Sequence, residues 1–286
     1  MEIDPEKNKI ALVACSNGFS PKDQELITNL KNTLADLTLD AVLSKHLFKS
    51  DGSIPNEGEQ KAIEFNNFVR DDSIKAIFDI SGGDTANLTL DYIDFQLIRK
   101  KKTFYFGYSD NSVLLNAIAY KSRIPTFHYC LRNIVLDESR DQLAYFKNNI
   151  LNNELVKISF QYEYMKGHNL RGMVFGGNLR CFLKLAQTRF FPNLKKKVLF
   201  LESYGGNEQR ISSYLQQIRQ MGVFRQIKGL ILGNFTELHS RNGPGNVKKI
   251  ILSFLDEIDC PIIITKEIGH GVTDKSMPFG VDLQFY

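Results

Sequence analysis

Apolar positions follow two rhythms along the chain. Six short runs are almost continuously apolar: "KIALVAC" at 9–15, "KAIFDI" at 75–80, "TFYFG" at 103–107, "KVLFLE" at 197–202, "KGLILG" at 228–233 and "PIIIT" at 261–265. They are rich in Ile, Val, Leu and Phe and do not alternate with polar residues. This predicts strands covered on both faces, as in a parallel sheet. Segments of helical period separate many of them. "SPKDQELITNLKNTLADL" offers Ser20 as a cap, Pro21 at the first helical position, and a repeat of Leu26, Leu30, Leu34 and Leu37. "NEQRISSYLQQIRQMG" repeats Ile211, Leu215 and Ile218 and ends near Gly222. Strand followed by helix, several times over, predicts α/β architecture. The rhythm weakens over 150–171, where the chain reads as short extended pieces around a turn. We therefore expect an N-terminal α/β domain over 1–150, a connection over 151–171 and a C-terminal domain over 172–286.

Composition narrows the classes. A chain of 286 residues accommodates two cores, and its 43% apolar and 24% charged residues are those of a globular protein. The net charge of +4 comes partly from Arg99 to Lys102 and Lys195 to Lys197. Neither run is interleaved with aromatics, so both read as solvated faces, and no nucleic-acid partner is expected. Cys15, Cys130, Cys181 and Cys260 show no metal-ligand spacing and no CxxC. A reduced, cytoplasmic chain with no metal is the simplest reading. The start, "MEIDPEKNKI", has no apolar signal core, and no run approaches the length of a membrane span.

The candidate chemistry centres on "FGYSDNSVLL". Ser109 stands between a predicted strand and a predicted helix, where a sharp turn would lift its hydroxyl clear and present the next N–H groups to negative charge. The second glycine of GxSxG is missing, and on this window alone a simple helix cap by Ser109 or Asp110 is the leading reading. A serine nucleophile needs a base. Of five histidines, His270 lies between two glycines in "EIGHGVTD", after the last apolar run. That is a usual position for an α/β site. His128, in "PTFHYC", reads as a core histidine whose polar atoms are satisfied in the interior. Glu202 ends "KVLFLE", where a carboxylate demands a partner. It could orient His270 or cap the helix starting near Asn207. In "SGGDTAN", Gly82 and Gly83 could turn an amide toward an oxyanion. The same letters resemble the Gly-Gly-Asp-Gly-Thr loop of NAD and diacylglycerol kinases, although the glycine after the aspartate is absent. Other readings are Cys15 as a thiol nucleophile with His270, and a non-catalytic binding protein on the same scaffold.

Taken together, "GGDTANLTLDYIDFQLIRKKKTFYFGYSDNSVLLNAI", "KVLFLES" with "NEQRISSYLQQI", and "IGHGVTDKSMPFGV" resemble the serine LD-carboxypeptidases, which include the microcin C immunity peptidases. "FGGNL" at 175–179 is similar to the opening of that family's C-terminal domain. The resemblance covers most of 75–286 and is thinner before Ile74. It implies a flavodoxin-like parallel-sheet N-terminal domain and a smaller C-terminal α/β domain, with the active site between them. It implies Ser109 as nucleophile, His270 as base and then acid, and Glu202 as its orienter. The oxyanion hole would be the N–H of Asp110 with that of Gly83, or next Gly82. The implied substrate is a small peptide with a free C-terminal carboxylate, typically murein tetrapeptide in cell-wall recycling. No cofactor is implied, and the family is cytoplasmic and often homodimeric. Many recycling members carry arginine where this chain has Ser81, and an acidic residue where it has Ser203. "NLTLDYIDF" leans toward the immunity branch and its peptidyl-nucleotide substrate, yet the chain lacks that branch's tryptophan. Ser81 and the residues around Asp84 are the candidates for substrate binding. The sequence singles out no arginine or lysine for the carboxylate.

Overall fold

The computed structural model describes residues 9–49, 54–152, 154–254 and 258–286. All six apolar runs form strands. The first sheet contains β1 (Lys9–Val13), β2 (Asp40–Leu43), β3 (Ile74–Asp79), β4 (Phe104–Gly107) and β5 (Thr126–His128). They are parallel and lie in the order β2-β1-β3-β4-β5. This is the flavodoxin-like order, whose reversal between β1 and β3 opens a crevice at the carboxyl ends of the strands.

The second sheet contains β6 (Glu163–Lys166), β7 (Arg171–Asn178), β8 (Val198–Ser203), β9 (Gly229–Phe235) and β10 (Ile262–Ile264). The last four are parallel, and β6 pairs antiparallel with β10. The C-terminal segment then joins the two sheets. Strand β11 (Met277–Phe279) pairs antiparallel with β5 of the first sheet, and β12 (Asp282–Gln284) pairs antiparallel with β7 of the second.

Helices α1 (Gln24–Ala35), α2 (Ile54–Arg70), α3 (Phe95–Lys101) and α4 (Ser112–Ser122) follow strands or loops of the first half. Ser20 and Asp23 cap each other reciprocally around a 3-10 turn that begins at Pro21, and α1 starts after it. The buried stripe of α1 is Ile27, Leu30 and Leu34, and Leu37 falls in the turn beyond the helix. Helix α4 is buried along nearly its whole length, with apolar residues on several faces, the mark of a helix covered on most sides. Val113, Leu114, Leu115, Ala117 and Ile118 have no exposed surface.

One face of α4 docks on β7 and fixes the second sheet relative to the first. Asn116 Nδ2 donates to the Gly176 carbonyl at 2.6 Å, and its Oδ1 accepts from the Gly176 N–H at 2.9 Å. Ser112 Oγ accepts from the Asn178 N–H at 2.9 Å. A buried carboxamide thus completes backbone groups that a strand neighbour would otherwise satisfy. The close approach requires glycine: a Cβ on Gly177 would stand 2.5 Å from Ser112 Oγ.

Candidate active site

Ser109 follows β4 and Tyr108 with φ +55°, in the left-handed region that non-glycine residues rarely enter. Strain of this kind persists only where the surroundings fix it, and here they do. Asp110 is fully buried. Its carboxylate accepts from Ser16 Oγ at 2.7 Å and the Ala86 N–H at 2.9 Å, and pairs with Lys184. Asn111 Nδ2 donates to the Ser81 carbonyl at 3.0 Å. Neither Ser109 nor Asp110 acts as a side-chain cap, so the turn exists for another reason.

The glycine pair borders this turn. A Cβ on Gly82 would lie 3.8 Å from Ser109 Oγ, so glycine keeps the space before the hydroxyl open. Gly83 has φ +136°, and a Cβ there would stand 2.3 Å from Asn17 Cγ. Ser81 is buried, and its hydroxyl is committed: it donates to Asp79 Oδ1 at 2.7 Å and accepts from the Ser16 N–H at 3.1 Å. Burial pushes the Asp79 carboxyl up, against the hydrogen bonds it accepts from Ser81 and Cys15. The Asp84 carboxylate pairs with Arg180, which also donates to the Gly83 carbonyl at 2.8 Å. Asp84 therefore anchors the loop from outside the cleft.

Glu202 lies near the end of β8 with no exposed surface. Its Oε2 is 2.8 Å from His270 Nδ1. The capping role near the next helix belongs to Asn207, whose side chain accepts from the Arg210 N–H. Burial favours the neutral Glu202 carboxyl, but the imidazoles of His270 and His128 outweigh it and hold the pKa at about 2. The same pairing raises His270 against its own burial. The His270 loop is fastened by the Gly271 N–H to Asp274 Oδ2 at 2.8 Å, and by Asn133 Nδ2 to the Gly271 carbonyl at 3.0 Å.

Two residues escaped the sequence reading. His128 is buried, as expected, but it is not satisfied there. Its Nε2 has no hydrogen-bond partner and faces Glu202 Oε1 at 3.8 Å, so the carboxylate sits between two imidazoles. Arg132 projects into the site against the rings of Phe19 and Tyr108, with its guanidinium carbon 5.6 and 5.4 Å from their centroids. Spacing in "PTFHYCLRN" signals neither role, because the partners come from distant segments.

These groups meet in a cleft of about 520 Å³ lined by Ser109, His270, Gly82, Gly83, Tyr108 and Arg132, among others. His270 Nε2 is buried and unpaired, which leaves it free to take a proton. The ring of Tyr108, the residue before Ser109, packs 5.6 Å from the His270 ring. Leu136, Tyr204 and Val272 line the same cleft and are exposed, giving it an apolar rim. A similar cleft of about 540 Å³, lined by Arg99, Lys121, Arg123, Lys195 and Lys197, has no candidate nucleophile. Cys15 is buried, and burial pushes its thiol far above the usual range. A strand–turn serine, an imidazole backed by a buried carboxylate, and a glycine pair bordering one cleft are the residue types that acyl transfer to a serine draws on.

The family model described as the LD-carboxypeptidase N-terminal domain matches residues 10–129, and the model of the corresponding C-terminal domain matches residues 171–285. A putative carboxypeptidase of Treponema pallidum is 25% identical, over 96% of this chain and 88% of its own length. A probable murein peptide carboxypeptidase of Bacillus subtilis is 25% identical, over 91% and 84%. The solved structure of the microcin C7 self-immunity protein MccF with aspartyl sulfamoyl adenosine has the same fold. It superposes with a TM-score of 0.84 at 20% identity, over 97% of this chain and 92% of that one.

Proposed function

The chain belongs to the LD-carboxypeptidase family, and on that premise we propose that it is a serine peptidase removing the terminal D-amino acid of murein tetrapeptide. The observation that carries this reading is the 2.8 Å pairing of His270 with buried Glu202 in the cleft that Ser109 lines. The murein substrate is supported by the Bacillus subtilis relative's name. Four free cysteines agree with work in a reducing cytoplasm during cell-wall recycling.

In the reaction, Ser109 Oγ attacks the carbonyl carbon before the terminal residue and His270 Nε2 takes the hydroxyl proton. Glu202 holds the tautomer with the Nδ1 proton toward itself and stabilises the imidazolium. The N–H groups of Asp110 and Gly83, with Gly82 as the second choice, receive the oxyanion. Each such donor contributes about 3 kcal/mol in comparable sites. The imidazolium then protonates the leaving amine. Water, activated by the same imidazole, attacks the acyl-serine and releases the shortened peptide.

Mass spectrometry of murein tetrapeptide incubated with wild-type and Ser109→Ala protein tests this. Loss of one terminal alanine with the wild type alone is expected, and equal cleavage by the variant refutes the role of Ser109. A peptidyl-adenylate run in parallel distinguishes the immunity-type substrate: cleavage of it alone overturns the murein assignment.

A further inference from the structure

A carboxypeptidase must read the free carboxylate beside the bond it cuts, and the cleft holds a cation with no acid of its own. The Arg132 guanidinium lies against Phe19 and Tyr108, and its Nε is buried with no acceptor. Among the described residues no carboxylate pairs with it and no side chain or carbonyl accepts from it. Asp23, which lines the same cleft, and Asp79 act on it without an ion-pair contact, and each carboxylate has partners of its own. Asp23 accepts from the Ser20 N–H at 2.8 Å, and Asp79 accepts from Cys15, Ser81 and Tyr105. Lys49, the other long cation of the cleft, is exposed at its edge. Burial disfavours the charged guanidinium, yet an arginine stays charged in a protein. A cation held without an anion is unfavourable until one arrives.

Its placement says which anion. Tyr108 directly precedes Ser109, and its ring contacts both the guanidinium and the His270 ring. Asn133, the next residue after Arg132, ties to Gly271 beside His270. Arg132 therefore shares one frame with both proposed reacting groups. A terminal carboxylate lies within one residue, at most about 3.6 Å of chain, from the scissile bond. The planar fork of a guanidinium matches it with two parallel hydrogen bonds.

We propose that Arg132 is the specificity residue that binds the free carboxylate of the leaving amino acid, and so confines cleavage to the last bond of an anionic peptide. This rests on the serine-peptidase reading above.

The test compares kcat/KM for one tetrapeptide with a free C-terminus and for its C-terminal amide, in wild type, Arg132→Gln and Arg132→Lys. Where the amide turns over too slowly, its Ki as a competitive inhibitor replaces kcat/KM. The wild type is expected to prefer the acid on the order of a hundredfold. Arg132→Gln should lose that preference, its acid-to-amide ratio falling toward one, and Arg132→Lys should keep part of it. The acid-to-amide ratio is internal to each preparation, so a partly misfolded variant cannot mimic the result. If Arg132→Gln loses both substrates equally, or keeps the wild-type ratio, Arg132 does not read the carboxylate and the peptidase reading stands. If the wild type cleaves neither peptide, the peptidase reading falls and takes this assignment with it.

Discussion

Glu202→Gln removes one negative charge from the site and almost no volume. With its oxygen toward His270, the carboxamide keeps the present hydrogen bond and turns its NH2 toward His128 Nε2, which has no partner. With its NH2 toward His270 it fixes the wrong tautomer. Either way the counter-charge is gone. A carboxyl held at about 2 instead of 4.5 is favoured in its ionised form by about 3 kcal/mol. That net figure remains after burial has worked against it, and the charge of His270 is its largest favourable source. By linkage, His270 loses what Glu202 gave it. Its pKa, raised above 6.5 in the wild type, falls once burial and the Arg132 charge are opposed by Asp274 without Glu202. A general base must be neutral to accept a proton, so the acid limb of kcat/KM should lie above pH 6.5 in the wild type. In Glu202→Gln that limb should move toward acid. The plateau should also drop, because the imidazolium of the transition state has no carboxylate beside it. The matching change in the Ser-His-Asp template lowers kcat about 10⁴-fold. Steady-state kcat/KM against pH for both proteins reads both effects. An acid limb that stays in place, with a plateau only slightly lower, would refute the reasoning.

Three further perturbations probe the frame. Gly177→Ala puts a Cβ 2.5 Å from Ser112 Oγ at a φ of +120°, so urea unfolding should show a loss on the order of 2–4 kcal/mol. A midpoint that does not move would mean the α4–β7 seam is loose. Asp274, raised by burial to about 6 from 3.8, binds its proton more tightly folded than unfolded. Its contribution therefore turns unfavourable as pH rises from 3.8 through about 6, reaching about 3 kcal/mol above that. Asp274→Asn should raise Tm above pH 6 and leave it unchanged below 3.8, and a gain of the same size at both ends would contradict this. Lys184→Ala leaves the buried Asp110 carboxylate without its cation and should cost about 3–5 kcal/mol in denaturant titration. Unaltered stability would show that Ser16 and Ala86 suffice to hold the turn.

Much of the fold was legible because its signals are local. Strands such as β8 are buried along their whole length, so continuous apolar letters mark them. Asn207 and Ser20 cap through atoms two or three residues away. The short strands were harder. β2, β5, β11 and β12 have three or four residues each, too few to show a period. The return of β11 to the first sheet depends on pairing with Thr126 to His128, some 150 positions earlier. In the site, Ser109, Glu202 and His270 each sit at the end of a legible element, so the letters around them carry information. His128 and Arg132 gain their roles only from partners elsewhere: His128 from Glu202 on β8, and Arg132 from Phe19 and Tyr108. Ser81 shows the reverse. Its position beside the glycines pointed to substrate, while its hydroxyl belongs to Asp79.

The measurement closest to the central claim is the site and dependence of covalent labelling by a phosphonofluoridate, mapped by peptide mass spectrometry in wild type, His270→Ala and Glu202→Gln. One modified residue, Ser109, is expected, with labelling abolished in the first variant and strongly slowed in the second. Modification of another residue accompanied by loss of activity, or labelling of Ser109 at the wild-type rate without His270, would contradict that claim.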